Sequence, residues 1–411
     1  MNRLFSKVLL FSLLTCCVEA YAQQDNFCVR GKMSGLKKGV TISILAAEHK
    51  DDNSFNDTEI ATTTVKKAGE FLISGYVDHP QKVTLITNNL EMLGDKAEKN
   101  NYKQVHWTYT TMWLEPAEYV IKTPKYSLLT DAPLTKDCII EGGQAQKDFN
   151  DLNRARMEQG IADYNPDVEA LAKVEWNFIT SHPTSPVAIN IACEKLTNGY
   201  NLTTEQIDLL GKTITDCPSD KARYADFVRR LEAARLTANG NPIVDLDMVT
   251  PSGERCQLAD VVKNYEGKYL LVDFWASWCG ICRAGTPKIK EYYNTYPREW
   301  FDVISVSSDE KSDAWHSAME KDQMPWTQYC LTPQGIKDLM SKYQIIGVPY
   351  YILISPDGKV IANPSGVDDI GIYLEKLKSG IVEHYHTHYT ARSNLQVIID
   401  LSFHLIKIIT A

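Results

Sequence analysis

The sequence predicts a multidomain chain in which a β-rich N-terminal domain and a helical middle region precede a C-terminal α/β domain. Three observations support this prediction. Short stretches of alternating apolar and polar residues fill the first part, helical spacing replaces them in the middle, and buried-strand patterns alternate with helical ones at the end. The changes of pattern place the domains at residues 23–143, 144–239 and 240–380.

The first 22 residues have the three parts of a secretory signal peptide. Arg3 and Lys7 precede the apolar run VLLFSLLTCCV, and AYA at 20–22 provides the small residues of a cleavage site. The run is shorter than the roughly 20 residues of a membrane-spanning helix. We therefore expect cleavage after this segment and an exported mature protein. The alternative is a lipoprotein anchored through Cys16, since LLTC approximates an acylation motif.

The predicted β-rich domain contains short alternating runs separated by Gly, Asn and Pro, which is typical of an all-β region. The runs are FCVRGKM, VTISILA, EFLISGYV and KVTLIT. In the helical region, four stretches have apolar residues at helical spacing, and four or five short helices are expected there. These stretches are VEALAKVEWNFI, VAINIACEKL, EQIDLLGKTI and ARYADFVRRLEAARL.

The C-terminal region begins after the breaker NGNP at 239–242 and contains a pair of cysteines at a strand-to-helix turn. KYLLVDFWA, residues 268–276, has the continuous apolar character of a strand buried on both faces. WCGICRAGTPKIKEYYNTY follows as a helix, which puts Cys279 at its N-terminus, where backbone N–H groups favour a thiolate. Cys282 lies one turn further and can reach back to Cys279. This arrangement suits a redox dithiol.

Two other interpretations of the cysteine pair are a zinc site and a structural disulfide. Zinc usually takes four ligands, and no second C-x-x-C or H-x-x-x-H motif follows at a workable distance. A disulfide across two residues closes a very small loop and gains little stability from chain entropy. The sequence has ten cysteines, and apart from this pair those outside the signal segment are scattered, as small buried residues often are. We therefore favour the redox interpretation.

The net charge of −9 argues against nucleic acid or an anionic lipid surface as a partner.

The tail over 381–411 contains His384, His386 and His388, which would share one face of a strand and could bind a metal. No carboxylate or cysteine is placed to complete such a site, so we interpret the tail as an exposed His-rich segment and expect no metal. Its apolar end has no assigned role.

The C-terminal region resembles thioredoxins over residues 241–380. VDFWASWCGICR resembles their active-site segment, and GVPYYILISPDGKV, residues 347–360, resembles the segment whose cis proline faces the dithiol. FDVISVSSDE, followed by a helix containing AWHSAM, resembles the TlpA and AhpC/TSA-like branch. The resemblance implies a thioredoxin fold with a central mixed sheet flanked by helices. The order of an exported β-rich domain, a helical region and this domain resembles periplasmic thiol-disulfide oxidoreductases of Gram-negative bacteria. The resemblance therefore implies a periplasmic thiol-disulfide oxidoreductase with no cofactor beyond its redox-active disulfide.

The resemblance implies roles for individual residues. Cys279 would be the exposed nucleophile, Cys282 the less exposed resolving thiol, and Asp273 the buried acid that takes the proton of that thiol. Pro349 would be the cis proline, and Trp275 would pack beneath the site. The residues that would contact substrate are Trp278, Gly280, Ile281 and Val348.

Departures from the family pattern leave the direction of electron flow open. Ile281 replaces the thioredoxin proline, and Gly285 stands where many TlpA-like reductases have Glu. The lysine that accompanies the buried acid in thioredoxin has no counterpart in VISVSSD. Dithiols in this fold span roughly −270 to −120 mV. We predict a reductase of protein disulfides that receives electrons from an inner-membrane thiol donor, with an oxidase or isomerase as the alternative.

Two further functions, a peroxidase and a binding protein, fit the sequence less well. A peroxidase would need the peroxiredoxin motif P-x-x-x-T-x-x-C, which the sequence lacks. In a binding protein, the β-rich domain would bind a ligand or partner while the C-terminal domain served as a non-catalytic scaffold. An intact C-x-x-C with Asp273 and Pro349 speaks against an inert scaffold.

Overall fold

The computed structural model describes residues 24–49, 55–88, 108–125, 138–161, 167–197, 202–345 and 347–380. The predicted signal peptide with Cys16, and the tail with His384, His386 and His388, lie outside the described residues. The first eight strands are β1 Phe27–Ser34, β2 Thr41–His49, β3 Phe55–Thr64, β4 Glu70–Gly75, β5 Gln81–Asn88, β6 Thr108–Leu114, β7 Glu118–Lys125 and β8 Ile139–Glu141.

These strands form two four-stranded sheets that share one apolar core. The order is β3-β2-β5-β6 in one sheet and β4-β1-β7-β8 in the other. Along β1, side chains alternate between buried and more exposed positions, as expected for a sheet with one face on a core. Inward residues of both sheets, such as Val29, Ile42 and Ile121, are fully buried in this core. The β-rich character predicted from alternation is therefore correct.

Helices occupy the middle region. They are α1 Gln144–Glu158, α2 Val168–Ser181, α3 Pro186–Leu196, α4 Thr204–Thr213 and α5 Lys221–Thr237. Local signals start them: Asp167 accepts hydrogen bonds from the backbone of Glu169 and Ala170, and Thr203 forms a capping box with Gln206. The helices share a core that also includes Trp113 of β6.

The C-terminal domain is built on a seven-stranded mixed sheet of order β10-β9-β13-β12-β11-β14-β15. Its strands are β9 Asp247–Val249, β10 Arg255–Gln257, β11 Tyr269–Trp275, β12 Phe301–Ser307, β13 Thr327–Leu331, β14 Tyr350–Ile354 and β15 Val360–Ala362. Its helices are α6 Leu258–Lys263, α7 Gly280–Thr295, α8 Ser312–Asp322, α9 Pro333–Lys342 and α10 Val367–Lys378. The pairs β11–β12 and β12–β13 are parallel, whereas β14 runs antiparallel to β11.

The predicted fold class is confirmed: β-rich, then helical, then a thioredoxin-type α/β domain. The central strand β11 separates two apolar clusters. Leu271 packs in the cluster that contains Ile289 of α7, whereas Val272 packs in the cluster that contains Leu339 of α9. Because helices cover both faces, β11 is apolar at almost every position, as its sequence predicts. Within the described residues, no helix is both long and apolar enough to cross a membrane.

Candidate active site

The cysteine pair lies where β11 ends and α7 begins. Cys279 is the N-cap residue of α7, and it is joined to Cys282 in a disulfide. The backbone N–H of Cys282 points at the Cys279 sulfur, 3.2 Å away. An unpaired helix N-terminus stabilises negative charge, so this geometry would favour a thiolate at Cys279 after reduction.

Both sulfur-bearing residues are buried, which corrects one expectation. Cys279 is 7% exposed and Cys282 is 4% exposed, so the predicted nucleophile is only marginally more accessible than its partner. The reason is that Cys279 packs in an apolar cluster with Trp275 and Trp315, against which Val348 also packs. The neighbouring Trp278 and Ile281 are instead 69% and 66% exposed. An apolar surface therefore borders a recessed disulfide.

The segment around Pro349 meets the disulfide from the other side. The Val348–Pro349 peptide bond is cis, as the resemblance implies. The carbonyl oxygen of Val348 lies 3.5 Å from the Cys279 sulfur. Gly280, also a predicted substrate contact, follows Cys279 in the chain and is exposed. The structure thus brings the cysteines, Val348 and Pro349 together, with Trp278, Gly280 and Ile281 at the surface around them.

Asp273 is buried in the sheet two residues before the end of β11, with 4% of its surface exposed. Burial raises the pKa of Asp273 to about 7, and a hydrogen bond from Ser305 opposes part of this rise. Ser305 Oγ lies 2.7 Å from Oδ2 of Asp273 and also accepts a hydrogen bond from Trp326 Nε1 at 2.8 Å. Ser305 lies directly opposite Asp273 in the strand pairing, within the segment VISVSSD that lacks the thioredoxin lysine.

Position 285 is tightly enclosed. A Cβ atom on Gly285 would lie 2.8 Å from Cγ1 of Val367 and 3.5 Å from the hydroxyl oxygen of Tyr351. A glutamate side chain here would therefore require Val367 on α10 to move. The close packing of α10 against α7 thus leaves no room at position 285 for the glutamate found in many TlpA-like reductases.

Asp309 is a buried carboxylate that the sequence reasoning did not select. Its Oδ2 accepts hydrogen bonds from the Ser277 backbone N–H at 2.8 Å and from Ser307 Oγ at 2.6 Å, and its Oδ1 accepts one from Ser277 Oγ at 2.6 Å. Ser277 immediately precedes Trp278 and Cys279. Asp309 therefore holds the loop that carries the candidate nucleophile, and the DE pair that ends FDVISVSSDE was its only sequence signal.

Arg283 provides a second constraint on the start of α7. Its Nε and Nη2 donate to the two carboxylate oxygens of Asp322, each at 2.7 Å, and Nη1 donates to the carbonyl of Ser277 at 3.4 Å. This bidentate pair lowers the pKa of Asp322 and ties α7 to the end of α8.

The remaining cysteines that the structure describes are free thiols. They are Cys28, Cys138, Cys193, Cys217, Cys256 and Cys330. Among the described residues, no group of three or more His, Cys, Asp or Glu side chains could hold a metal ion. The chemistry available at the described site is thiol-disulfide exchange.

Comparison with known proteins agrees with this geometry. Residues 267–360 match the thioredoxin-like family. The chain is 28% identical over 128 residues to probable nucleoredoxin 1 of Arabidopsis thaliana, which covers 31% of this chain and 21% of that protein. It is 26% identical over 119 residues to the thiol-disulfide oxidoreductase ResA of Bacillus thuringiensis, which covers 28% of this chain and 67% of that protein.

Two solved structures are similar to the C-terminal part. The thioredoxin domain of a thiol-disulfide oxidoreductase from Bacteroides vulgatus is 33% identical, with a TM-score of 0.31, covering 34% of this chain and 97% of that one. A thiol:disulfide interchange protein from Bacteroides sp. is 33% identical, with a TM-score of 0.32, covering 37% and 98%. The match to the thioredoxin-like family over residues 267–360 shows that the C-terminal domain is a thioredoxin-like domain, and it is similar in sequence to thiol-disulfide oxidoreductases.

Proposed function

We propose that the protein is a periplasmic reductase of protein disulfides, in which Cys279 attacks the substrate and Cys282 resolves the mixed disulfide. The observation that carries the proposal is the recessed Cys279–Cys282 disulfide at a helix N-terminus, bordered by the exposed Trp278 and Ile281. A flat apolar border favours an extended protein segment as substrate over a small polar molecule.

In the proposed reaction, the Cys279 thiolate attacks one sulfur of a substrate disulfide and releases the other as a thiolate. Cys282 then attacks the Cys279 sulfur, which breaks the bond to the substrate and regenerates the Cys279–Cys282 disulfide. Two electrons pass from the dithiol to the substrate. Asp273 accepts the proton of Cys282 before this second attack. The half-buried Val348 and Pro349 lie beside the reacting sulfur and would contact the bound substrate chain.

For turnover, the oxidised pair needs a dithiol reductant. We propose an inner-membrane thiol electron donor for this role, because the N-terminal pattern predicts export to a compartment where disulfides persist. The β-rich domain would then serve to recognise a partner or to position the catalytic domain.

The deciding measurement is the equilibrium reduction potential of Cys279 and Cys282 in the purified full-length protein. The protein would be equilibrated in thiol buffers of defined ratio, and its free and disulfide-bonded cysteines would be labelled with isotopically distinct alkylating reagents. Mass spectrometry of the peptide that contains both cysteines would then give the reduced fraction. The buried thiol Cys330 provides an internal control. A potential of about −250 mV or below supports the reductase. A value near −150 mV would overturn that direction in favour of an oxidase or isomerase.

The location is tested separately by fractionating a Gram-negative host that expresses the full chain. Recovery of the processed protein in the soluble periplasmic fraction supports the proposal. Recovery in the membrane fraction that is lost in the Cys16→Ala variant would show a lipoprotein instead, and retention in the cytoplasm would contradict export.

A further inference from the structure

Ser305 lies in a chain of buried hydrogen bonds that ends on Asp273. Its Oγ is 2.8 Å from Nε1 of Trp326 and 2.7 Å from Oδ2 of Asp273. Ser305 is fully buried, and the exposed fractions of Asp273 and Trp326 are 4% and 5%. Trp326 is itself held by ring contact with Tyr293 of α7, at 5.4 Å between centroids.

The direction of this chain follows from the groups at its ends. An indole N–H can only donate, so Trp326 gives its hydrogen to the oxygen of Ser305. The hydroxyl hydrogen of Ser305 then points at the carboxyl oxygen 2.7 Å away. Oδ2 of Asp273 is therefore an acceptor, and Oδ1 is left as the oxygen that takes up a proton.

Asp273 faces the side of the sheet that α7 covers. Side chains of a strand alternate between faces, so Asp273 shares a face with Leu271 and Trp275. Leu271 belongs to the apolar cluster of Ile289, and Trp275 belongs to the cluster of Cys282, both on α7. The proton-accepting carboxyl group and the resolving cysteine thus lie on one side of β11.

We propose that Ser305, oriented by Trp326, is a positioning residue that directs the proton of Cys282 to Oδ1 of Asp273 and stabilises the carboxylate. This inference rests on the proposed function. In the resolving step, the Cys282 proton moves to Oδ1, the Cys282 sulfur bonds to Cys279, and the substrate sulfur leaves as a thiolate. The dithiol is oxidised to a disulfide while the substrate is reduced.

The electrostatic surroundings agree with this role. Burial favours the neutral form of Asp273, and the hydrogen bond from Ser305 favours the carboxylate. Tyr351 faces Asp273 from β14, and its own pKa is raised by burial and by the negative charge of Asp273. On the α7 side, Cys282 is a titratable group in the cluster of Trp275, which lies on the same face of β11 as Asp273. Ser305 is therefore the hydrogen-bond donor that favours the charged form of Asp273.

The test uses Ser305→Ala, with Ser305→Thr as the variant that keeps the hydroxyl and Trp326→Phe as the variant that removes only the indole donor. One readout is the carboxyl titration of Asp273 by carbon-13 NMR, assigned with Asp273→Asn. The other is the pH dependence of the second thionitrobenzoate release when reduced protein reacts with Ellman's reagent. The second release reports the resolving step, and Cys279→Ser corrects for the other thiols.

In Ser305→Ala, the carboxyl titration and the midpoint of the resolving step should both move up by about one pH unit. Ser305→Thr should titrate like the wild type, and Trp326→Phe should shift in the same direction by less. The maximal rate at high pH should stay within about twofold, because the carboxylate forms there in every variant.

Unchanged titration of Asp273 in Ser305→Ala would overturn the inference, as would a shifted titration without a shift of the resolving step. If Ser305→Ala does not fold, the titration of the Asp273 carboxyl group in Trp326→Phe tests the inference instead. An unchanged titration in that variant would overturn it. Absence of any second release from the wild type would instead contradict the proposed function, while the titrations would still report on Ser305.

Discussion

The β-rich domain and the C-terminal domain bury different kinds of polar side chain. In the described part of the β-rich domain, the buried polar residues are Thr87, Thr110 and Thr123. The C-terminal domain buries the carboxyl groups of Asp273 and Asp309. A buried carboxyl group costs far more free energy than a hydroxyl unless it is neutralised or hydrogen-bonded. The C-terminal domain meets this cost at two positions, and at one of them Asp309 holds Ser277, two residues before Cys279.

The same contrast separates the cysteines. In the β-rich domain, Cys28 and Cys138 are partly exposed free thiols. The paired cysteines of the C-terminal domain are more deeply buried, yet one of them lies against a helix N-terminus and an exposed apolar border. The reactivity of a cysteine in this protein therefore depends on its local electrostatic environment and not on its exposure alone.

The largest expected effect is a loss of disulfide-reducing activity on substitution of a paired cysteine but not of a cysteine in the β-rich domain. Cys282→Ser should lower steady-state reduction of a protein disulfide by about a thousandfold or more, because Cys279 can attack but the mixed disulfide is not resolved. Intact-mass measurement should show substrate trapped on Cys279. Cys28→Ser is the matched control, and its activity should stay within about twofold of the wild type. Equal losses in the two variants would remove the distinction between the regions.

The next largest effect is on the free energy of unfolding, and it compares a buried carboxyl group of the C-terminal domain with a buried hydroxyl group of the β-rich domain. Asp309→Asn places an amide N–H₂ among three donors, so urea unfolding should show a loss of about 1–3 kcal/mol in the free energy of unfolding. Turnover should also fall severalfold, because Ser277 is no longer held beside Cys279. The control is Thr110→Val, whose hydroxyl has no hydrogen-bond partner among the described residues, and it should be neutral or stabilising. A more destabilising Thr110→Val would reverse the comparison.

The smallest effect concerns pH. Nδ1 of His316 lies 2.8 Å from the carbonyl oxygen of Ser312, and Nε2 lies 3.0 Å from that of Pro251. Both carbonyls accept hydrogen bonds, so the protonated ring satisfies both contacts and the pKa of His316 is raised. Its stabilising contribution should be complete below about pH 6.5 and lost as the pH rises through the folded-state pKa.

Urea unfolding at pH 5.5 and at pH 8.5 would check this expectation. His316→Gln should weaken the protein more at the lower pH, and the effect should be small because the side chain is exposed. His79→Gln in the β-rich domain is the control, since the ring of His79 pairs with the adjacent Asp78 and joins no two elements among the described residues. An equal loss at both pH values in His316→Gln would show that the ring acts without its charge.

Much of the site was predictable because its parts are neighbours in the chain. A buried strand, a C-x-x-C turn and a helix stand in sequence from residue 268 onward, and the cap at Cys279 follows from that order. Burial of Asp273 could be predicted from its apolar neighbours. The exposure of Cys279 was predicted wrongly, because packing from Trp315 and Val348 comes from distant parts of the chain.

The sequence by itself determined the order of the regions, the redox pair and its location at a helix start, because periodicity and spacing are local properties. Only the tertiary structure decided which ordinary polar residues serve that pair. Ser305 meets Asp273 across 32 positions, and Trp326 meets Ser305 across 21. Serine and tryptophan have no pattern of their own that marks them. Their role arises because parallel strands bring distant residues into register, where the direction of each hydrogen bond is set by its donor.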